Sequence, residues 1–426
     1  MRSFFFLVFL LVVTPICFFR PYVGIYVWYW LAFMNPHRLT WGMAHTFSVA
    51  LMVGVATLAG SVAYGSFRRP PKGNEVPLMM VLFGFMTLST FVAMYPDSAW
   101  IKWQQVMKIM LMTVLTTYLI DSKQKLRVLL LVISLSIGFF AVKAVPWALA
   151  TGGQYMITGP PESSIESNND IAMAFNMVLP LLAFFSFSEP RRIVRWMFRG
   201  VFFVTIAGVF LSYSRGAFLG LCAVGIMLIL RSRYRFGTIV VIVFVAALAA
   251  ALLPSKWAER MQTIETYEQD QSAMERIATW TFAWNVATER PLTGGGFQAF
   301  RANPLGFDSH SNYFGILAEH GFLALGVYML LIGSTFFTNG KIRRMTRKRP
   351  DLAWYHNCAG ALQVSIVAYM VNGLTLGHQY FDLFYALVAA TVILRTTLLA
   401  EERAREAAAA TPASVAVPLD PLPRAL

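Results

Sequence analysis

Apolar runs of about 17–25 residues recur along almost the whole chain, and as a helix each can cross a hydrocarbon core of roughly 30 Å. Lipid offers the backbone no hydrogen-bond partners, so such runs predict an all-α, polytopic membrane bundle. Composition agrees: 57% of residues are hydrophobic and 13% charged, against roughly a quarter charged in soluble domains.

The net charge of +14 does not point to nucleic acid, because the basic residues sit in short clusters between apolar runs. Arg68-Arg69-Lys72, Lys123-Lys125-Arg127, Arg191-Arg192-Arg195-Arg199, Arg231-Arg233-Arg235 and Arg343-Arg344-Arg347-Lys348-Arg349 are spaced by even numbers of crossings. All can therefore face the cytoplasm, with the intervening loops periplasmic. The crossings then fall near 46–66, 76–94, 101–121, 127–147, 171–188, 199–213, 216–231, 237–253, 313–336, 358–376 and 382–400. A cytoplasmic start requires residues 3–34 to make one net crossing, with breaks expected at Pro15 and Arg20-Pro21. The expected total is about 12 transmembrane helices, or thirteen if that first stretch crosses twice. Met1-Arg2 and the following apolar run resemble a signal peptide, but no small-residue cleavage site follows, so retention is expected. Cys17, Cys222 and Cys358 are scattered in or beside apolar runs and read as small buried hydrophobes.

Residues 1–200 thus form N-terminal transmembrane helices. Residues 201–400 form a second transmembrane core with a long periplasmic loop at 254–312, and 401–426 form a cytoplasmic tail, largely disordered after its first turns. The long loop exceeds an idle connection, and function should concentrate there. Within it, 272–288 has helical periodicity and aligns Arg276, Trp280 and Trp284 on one face, as in a helix lying at the membrane interface. Pro291 and Gly294-Gly295-Gly296 then turn the chain. No period of 20–50 residues repeats, so neither a solenoid nor an inverted-repeat transporter is expected.

Three residues stand out chemically. Arg215 interrupts two apolar runs in Ser212-Tyr213-Ser214-Arg215-Gly216. A guanidinium there suits phosphate oxygens, although position alone equally fits an arginine snorkelling to the interface. Arg276 lies on the Trp-bearing face and is compatible with a lipid diphosphate, although position alone fits ordinary anionic headgroups somewhat better. His310, in Asp308-Ser309-His310-Ser311-Asn312 at the foot of the long loop, can serve as a general base or simply satisfy a hydrogen bond.

Lys143 is a candidate phosphate contact, His378 and Asp382 are candidates for binding an acceptor, and Glu162, Glu166, Asn168, Asn169 and Asp170 for polar sugar contacts. Structural roles suit each of them as well. No HExxH motif, Walker A loop, compact acidic pair or dense carboxylate–histidine cluster occurs, so neither a cofactor nor a metal is expected.

These pieces together resemble the O-antigen ligase and polymerase superfamily. The resemblance rests on the Arg215 turn, on Arg276-Ile277-Ala278-Thr279-Trp280 leading to Pro291-Leu292-Thr293-Gly294-Gly295-Gly296-Phe297, and on His310-Ser311-Asn312-Tyr313 with Glu319-His320-Gly321. It covers roughly residues 200–335. Asn35-Pro36-His37-Arg38-Leu39-Thr40-Trp41-Gly42 is similar to the subgroup of O-glycosylation ligases associated with exosortase systems.

The resemblance implies a multi-pass protein of the bacterial inner membrane with its active site facing the periplasm. Its donor would be an undecaprenyl-diphosphate-linked glycan, its acceptor lipid A–core, and its surroundings membrane lipids, with no nucleic acid involved. Arg215 and Arg276 would bind the diphosphate, and His310 would activate the acceptor or assist the reaction. Ser311 stands where Asn is common. Extension of lipid-linked repeats by a polymerase, transport of a lipid-linked glycan, and transfer to a protein acceptor remain open alternatives.

Overall fold

The computed structural model describes residues 2–39, 48–68, 71–231, 236–237, 239–240 and 271–410. The crossing expected at 237–253, the first part of the long loop at 254–270, and the tail from 411 onward fall wholly or mostly outside these residues. Among the described residues every regular element is helical.

The chain opens with α1 (Arg2–Phe19) and α2 (Pro21–Met34). The break falls at Arg20, whose φ of −132° is not helical, and Pro21 restarts the helix where its missing N–H costs nothing. Pro15, in contrast, is accommodated inside α1. The rings of Phe9 and Trp30 pack 5.3 Å apart although both lie about ten residues from the break, so α1 and α2 fold back on each other. Residues 3–34 are therefore two helices packed on each other rather than one continuous helix. Next, α3 (Val49–Ala63) packs on both arms. Gly60 permits this, because a Cβ there would overlap the Phe18 carbonyl.

Then follow α4 (Glu75–Phe91), α5 (Pro96–Leu119), α6 (Lys123–Ala150), α7 (Asn168–Ser188), α8 (Arg192–Leu211) and α9 (Arg215–Arg231). The second core comprises α10 (Gln271–Glu289), α11 (Asn312–Thr346), α12 (Ala353–Asn372) and α13 (Asp382–Ala410). Five of these helices, α6, α7, α8, α11 and α13, are long and apolar enough to cross a membrane; α1, α3 and α4 are shorter apolar helices.

Burial separates the helices into two kinds. Every residue of α7 from Ile171 to Leu182 is buried, as expected of an apolar helix enclosed on all sides. It packs on α6, α8, α9 and α12. By contrast α8 exposes Ile193, Trp196, Met197 and Phe203, which form an outer, lipid-compatible face.

The described members of the basic clusters gather at one end of the bundle. There Tyr26 donates to the Lys125 carbonyl at 3.1 Å, Lys123 lies over Trp354, Arg127 pairs with Glu189, and Arg231 donates to the Gly360 carbonyl at 2.8 Å. The opposite end carries the connections 151–167, 212–214, 290–311 and 373–381. Arg38 from the Asn35-to-Gly42 stretch reaches Glu162 there; residues 40–42 of that stretch lie outside the described residues.

Candidate active site

Two polar turns and two helices meet at the end away from the basic clusters. The first turn, 212–215, is pinned on both sides: Asn168 donates to the Ser212 carbonyl at 2.9 Å and the Tyr213 hydroxyl to the Gly153 carbonyl at 2.6 Å. Tyr213 adopts φ 57° to make the bend, and the Ser214 hydroxyl accepts from the Ala217 amide at 3.2 Å, capping α9. Arg215 is thereby fixed as the first residue of that helix.

A small recess lies beside this turn, lined by Asn169, Ser214, Gly216, Arg276, Asn372 and Thr375 among others. Gly216 is required here because a Cβ would overlap the Thr375 hydroxyl. Arg276 reaches the recess from α10. The face of α10 expected to rest on headgroups is seated partly on α11: Trp280 stacks on Phe314 at 5.1 Å and Trp284 meets Phe322 edge-on at 5.6 Å.

Trp280 also donates its indole N–H to the Ser309 carbonyl at 2.8 Å, and this ties the Arg276 helix to the His310 turn. His310 itself sits at φ 46°, an uncommon conformation for a residue with a Cβ and one often kept at functional sites. The turn is stapled to the 373–378 connection. Asn312 N–H donates to the Gly373 carbonyl at 2.8 Å, and His378 N–H donates to Asn312 Oδ1 at 2.5 Å. Burial first, and then the Arg276 guanidinium, lower the imidazole pKa of His310 from its ordinary 6.5. Asp308, Asp170 and Glu275 act in the opposite sense.

His378 belongs to the same cluster: its Nε2 lies 2.7 Å from Asp170 Oδ1. Asp170 is held by a reciprocal N-terminal cap of α7, its Oδ2 accepting from Ser167 N–H and its own N–H donating to Ser167 Oγ. The turn before α9 that leads into Arg215, together with Arg276, His310 and His378, thus converges on one mouth of the bundle. Lys143 does not join them. It is exposed on α6 among the exposed Phe139, Val142 and Trp147, the setting of a snorkelling lysine on an outer face, and it is not among the residues lining the recess. Asp382 is half-buried at the start of α13.

A second polar cluster, unforeseen from the residues, supports this mouth. In α11 the helix breaks at Gly321, with φ 81°. The carbonyls of Ala318 and Glu319 then accept instead from the amides of Gly295 and Gly296, both at 2.8 Å. The Glu319 carboxylate accepts from the Tyr380 hydroxyl at 2.5 Å, Gln379 Nε2 at 3.2 Å and Gln298 N–H at 2.8 Å. His320 bridges Ser89 Oγ and the Tyr380 hydroxyl, each at 2.6 Å. The triple glycine and Glu319-His320-Gly321 are therefore two halves of one joint.

Chemically, a guanidinium beside neutral hydroxyl and amide groups suits phosphate oxygens, and an imidazole nearby can accept or donate a proton. Residues 200–329 match a family model described as O-Antigen ligase, and residues 1–188 match one described as a family of unknown function, DUF5935. No curated protein matches the chain.

Proposed function

We propose that this chain, whose residues 200–329 match the O-antigen ligase family model, is a multi-pass membrane transferase that moves an O-antigen glycan from undecaprenyl diphosphate to lipid A–core. The proposed setting is the periplasmic face of the bacterial inner membrane. In that setting the end that carries Arg276 and His310 faces the periplasm.

The acceptor hydroxyl attacks the anomeric carbon with inversion, the bond from that carbon to the phosphate oxygen breaks, and the diphosphate departs with the electron pair. Arg215 and Arg276 bind the diphosphate and stabilise the charge that grows on it, an effect larger in a poorly hydrated site than in water. His310 receives the proton of the attacking hydroxyl, and His378 contributes on the acceptor side. No metal is assigned a step.

One observation carries this reading: Arg276 and the turn leading into Arg215 border a single recess, with His310 close enough to feel the Arg276 charge. The test supplies purified lipid-linked glycan and lipid A–core to the reconstituted protein. Ligated lipopolysaccharide is expected. Lengthened carrier-bound chains would assign the polymerase reaction instead, glycan on an added protein would assign a protein acceptor, and carrier movement without a new glycosidic bond would assign transport.

A further inference from the structure

The transfer reaction releases a proton that must rest somewhere, and His310 is badly placed to keep it. An imidazolium there would be partly buried beside the Arg276 guanidinium, and like charges in a poorly hydrated pocket repel strongly. His310 also makes no hydrogen bond to a carboxylate among the described residues.

His378 is built differently. A carboxylate can only accept, so the 2.7 Å contact with Asp170 Oδ1 fixes the proton of neutral His378 on Nε2 and leaves the lone pair on Nδ1. Nδ1 makes no hydrogen bond within the described residues, and the side chain keeps 19% of its surface exposed. The other oxygen of Asp170 caps α7, accepting from Ser167 N–H at 3.3 Å. The His378 backbone is fixed on both sides, its N–H on Asn312 Oδ1 and its carbonyl on the Tyr369 hydroxyl at 3.1 Å. Its neighbour Gly377 comes within ordinary contact of the His310 amide, a Cβ there lying 3.6 Å away.

We propose that Asp170 and His378 form an acid–base pair in which His378 Nδ1 is the resting place of the acceptor's proton. This deepens the transferase reading and rests on it. The oxygen–carbon bond of the product forms, the carbon–oxygen bond to the diphosphate breaks, and the proton passes by way of His310 to His378 Nδ1. The Nε2–H stays donated to Asp170, whose charge stabilises the imidazolium, and solvent later removes the extra proton. The charges around His378 suit this: Asp170 on α7 and the half-buried Asp382 on α13 are acidic, whereas Arg276 on α10 stands beside His310 and Lys102 on α5 beside Asp382. Both act through His310, His378 as the onward acceptor of the proton and Asp170 as the residue that positions it.

The test measures kcat and donor KM for His378→Ala and Asp170→Asn, the latter keeping an oxygen to cap α7. Expected is a fall in kcat of about 10²-fold or more with donor KM changed less than about threefold, and a partial return of the His378→Ala rate when imidazole is added. A structural role would give no imidazole rescue. Full kcat in both variants, or a loss that imidazole leaves untouched, overturns the pair. An inactive wild type with both substrates present would instead overturn the transferase reading, so the two failures are distinct.

Discussion

The amide of Gly296 donates to the carbonyl of Glu319 at 2.8 Å, and that carbonyl is available because α11 breaks two residues later at Gly321. A continuous helix would spend the carbonyl on its own fourth-following amide. The break hands it to the glycine loop, and Phe322 N–H turns to the Pro291 carbonyl at 2.9 Å. The segment joining α10 to the His310 turn is held against α11 in this way.

Gly321→Ala should therefore destabilise the protein. The residue has φ 81°, and a Cβ would stand 2.5 Å from the Pro291 carbonyl oxygen. Backbone strain alone costs about 1–3 kcal/mol. Thermal unfolding in detergent should show a lower midpoint than wild type, while Gly326→Ala, with open space around it, should unfold like wild type or slightly later.

Glu319→Gln should weaken the same joint by a different route. The carboxylate meets three donors, and an amide would turn N–H groups toward at least one of them. A buried donor left without an acceptor costs about 1–3 kcal/mol. Unfolding measurements should register it, with faster hydrogen exchange across 295–303 and 373–381; unchanged exchange would contradict the joint.

Much of this was legible in the sequence. Arg215, Arg276 and His310 are visible because each is a charged or titratable group interrupting apolar surroundings, and such interruptions are costly enough to signify. The helix around Arg276 shows in its periodicity, and the break at Arg20-Pro21 in the proline. The hairpin of α1 and α2 was not legible, since an apolar run followed by Pro can kink or reverse and only packing between Phe9 and Trp30 decides. Nor was the pairing of Asp170 with His378, 208 positions apart in the chain. Each was singled out alone as a sugar or acceptor contact, and nothing in either local sequence names the other. Glu319-His320-Gly321 stood out as a motif, yet its partners Ser89 and Tyr380 lie on distant elements.

His310 should titrate below its ordinary 6.5, because burial and Arg276 both disfavour the charged ring. The neutral, proton-accepting form then dominates near pH 7 and is lost as pH falls through this depressed value. Asp308 pulls the other way, so Asp308→Asn should move the titration lower still. NMR of labelled histidines, assigned by loss of the His310 signal in His310→Gln, reads both shifts; a midpoint at or above 6.5 would contradict the arrangement.

Replacing Arg276 by Ala should reduce turnover about 10²-fold or more if it meets charge that develops on the leaving diphosphate. Arg276→Lys should recover only part of it, since an ammonium lacks the planar fork. Thermal unfolding of both variants should stay near wild type, which separates this loss from misfolding.

The most direct measurement follows both products of the reconstituted reaction, free undecaprenyl diphosphate and glycan-bearing lipid A–core, in wild type and in Arg276→Ala, with and without a chelator. The account predicts equal amounts of the two products from wild type, unchanged by the chelator, and near-background amounts of both from the variant. Wild-type turnover in Arg276→Ala, or carrier release with no glycan joined to any acceptor, would contradict it.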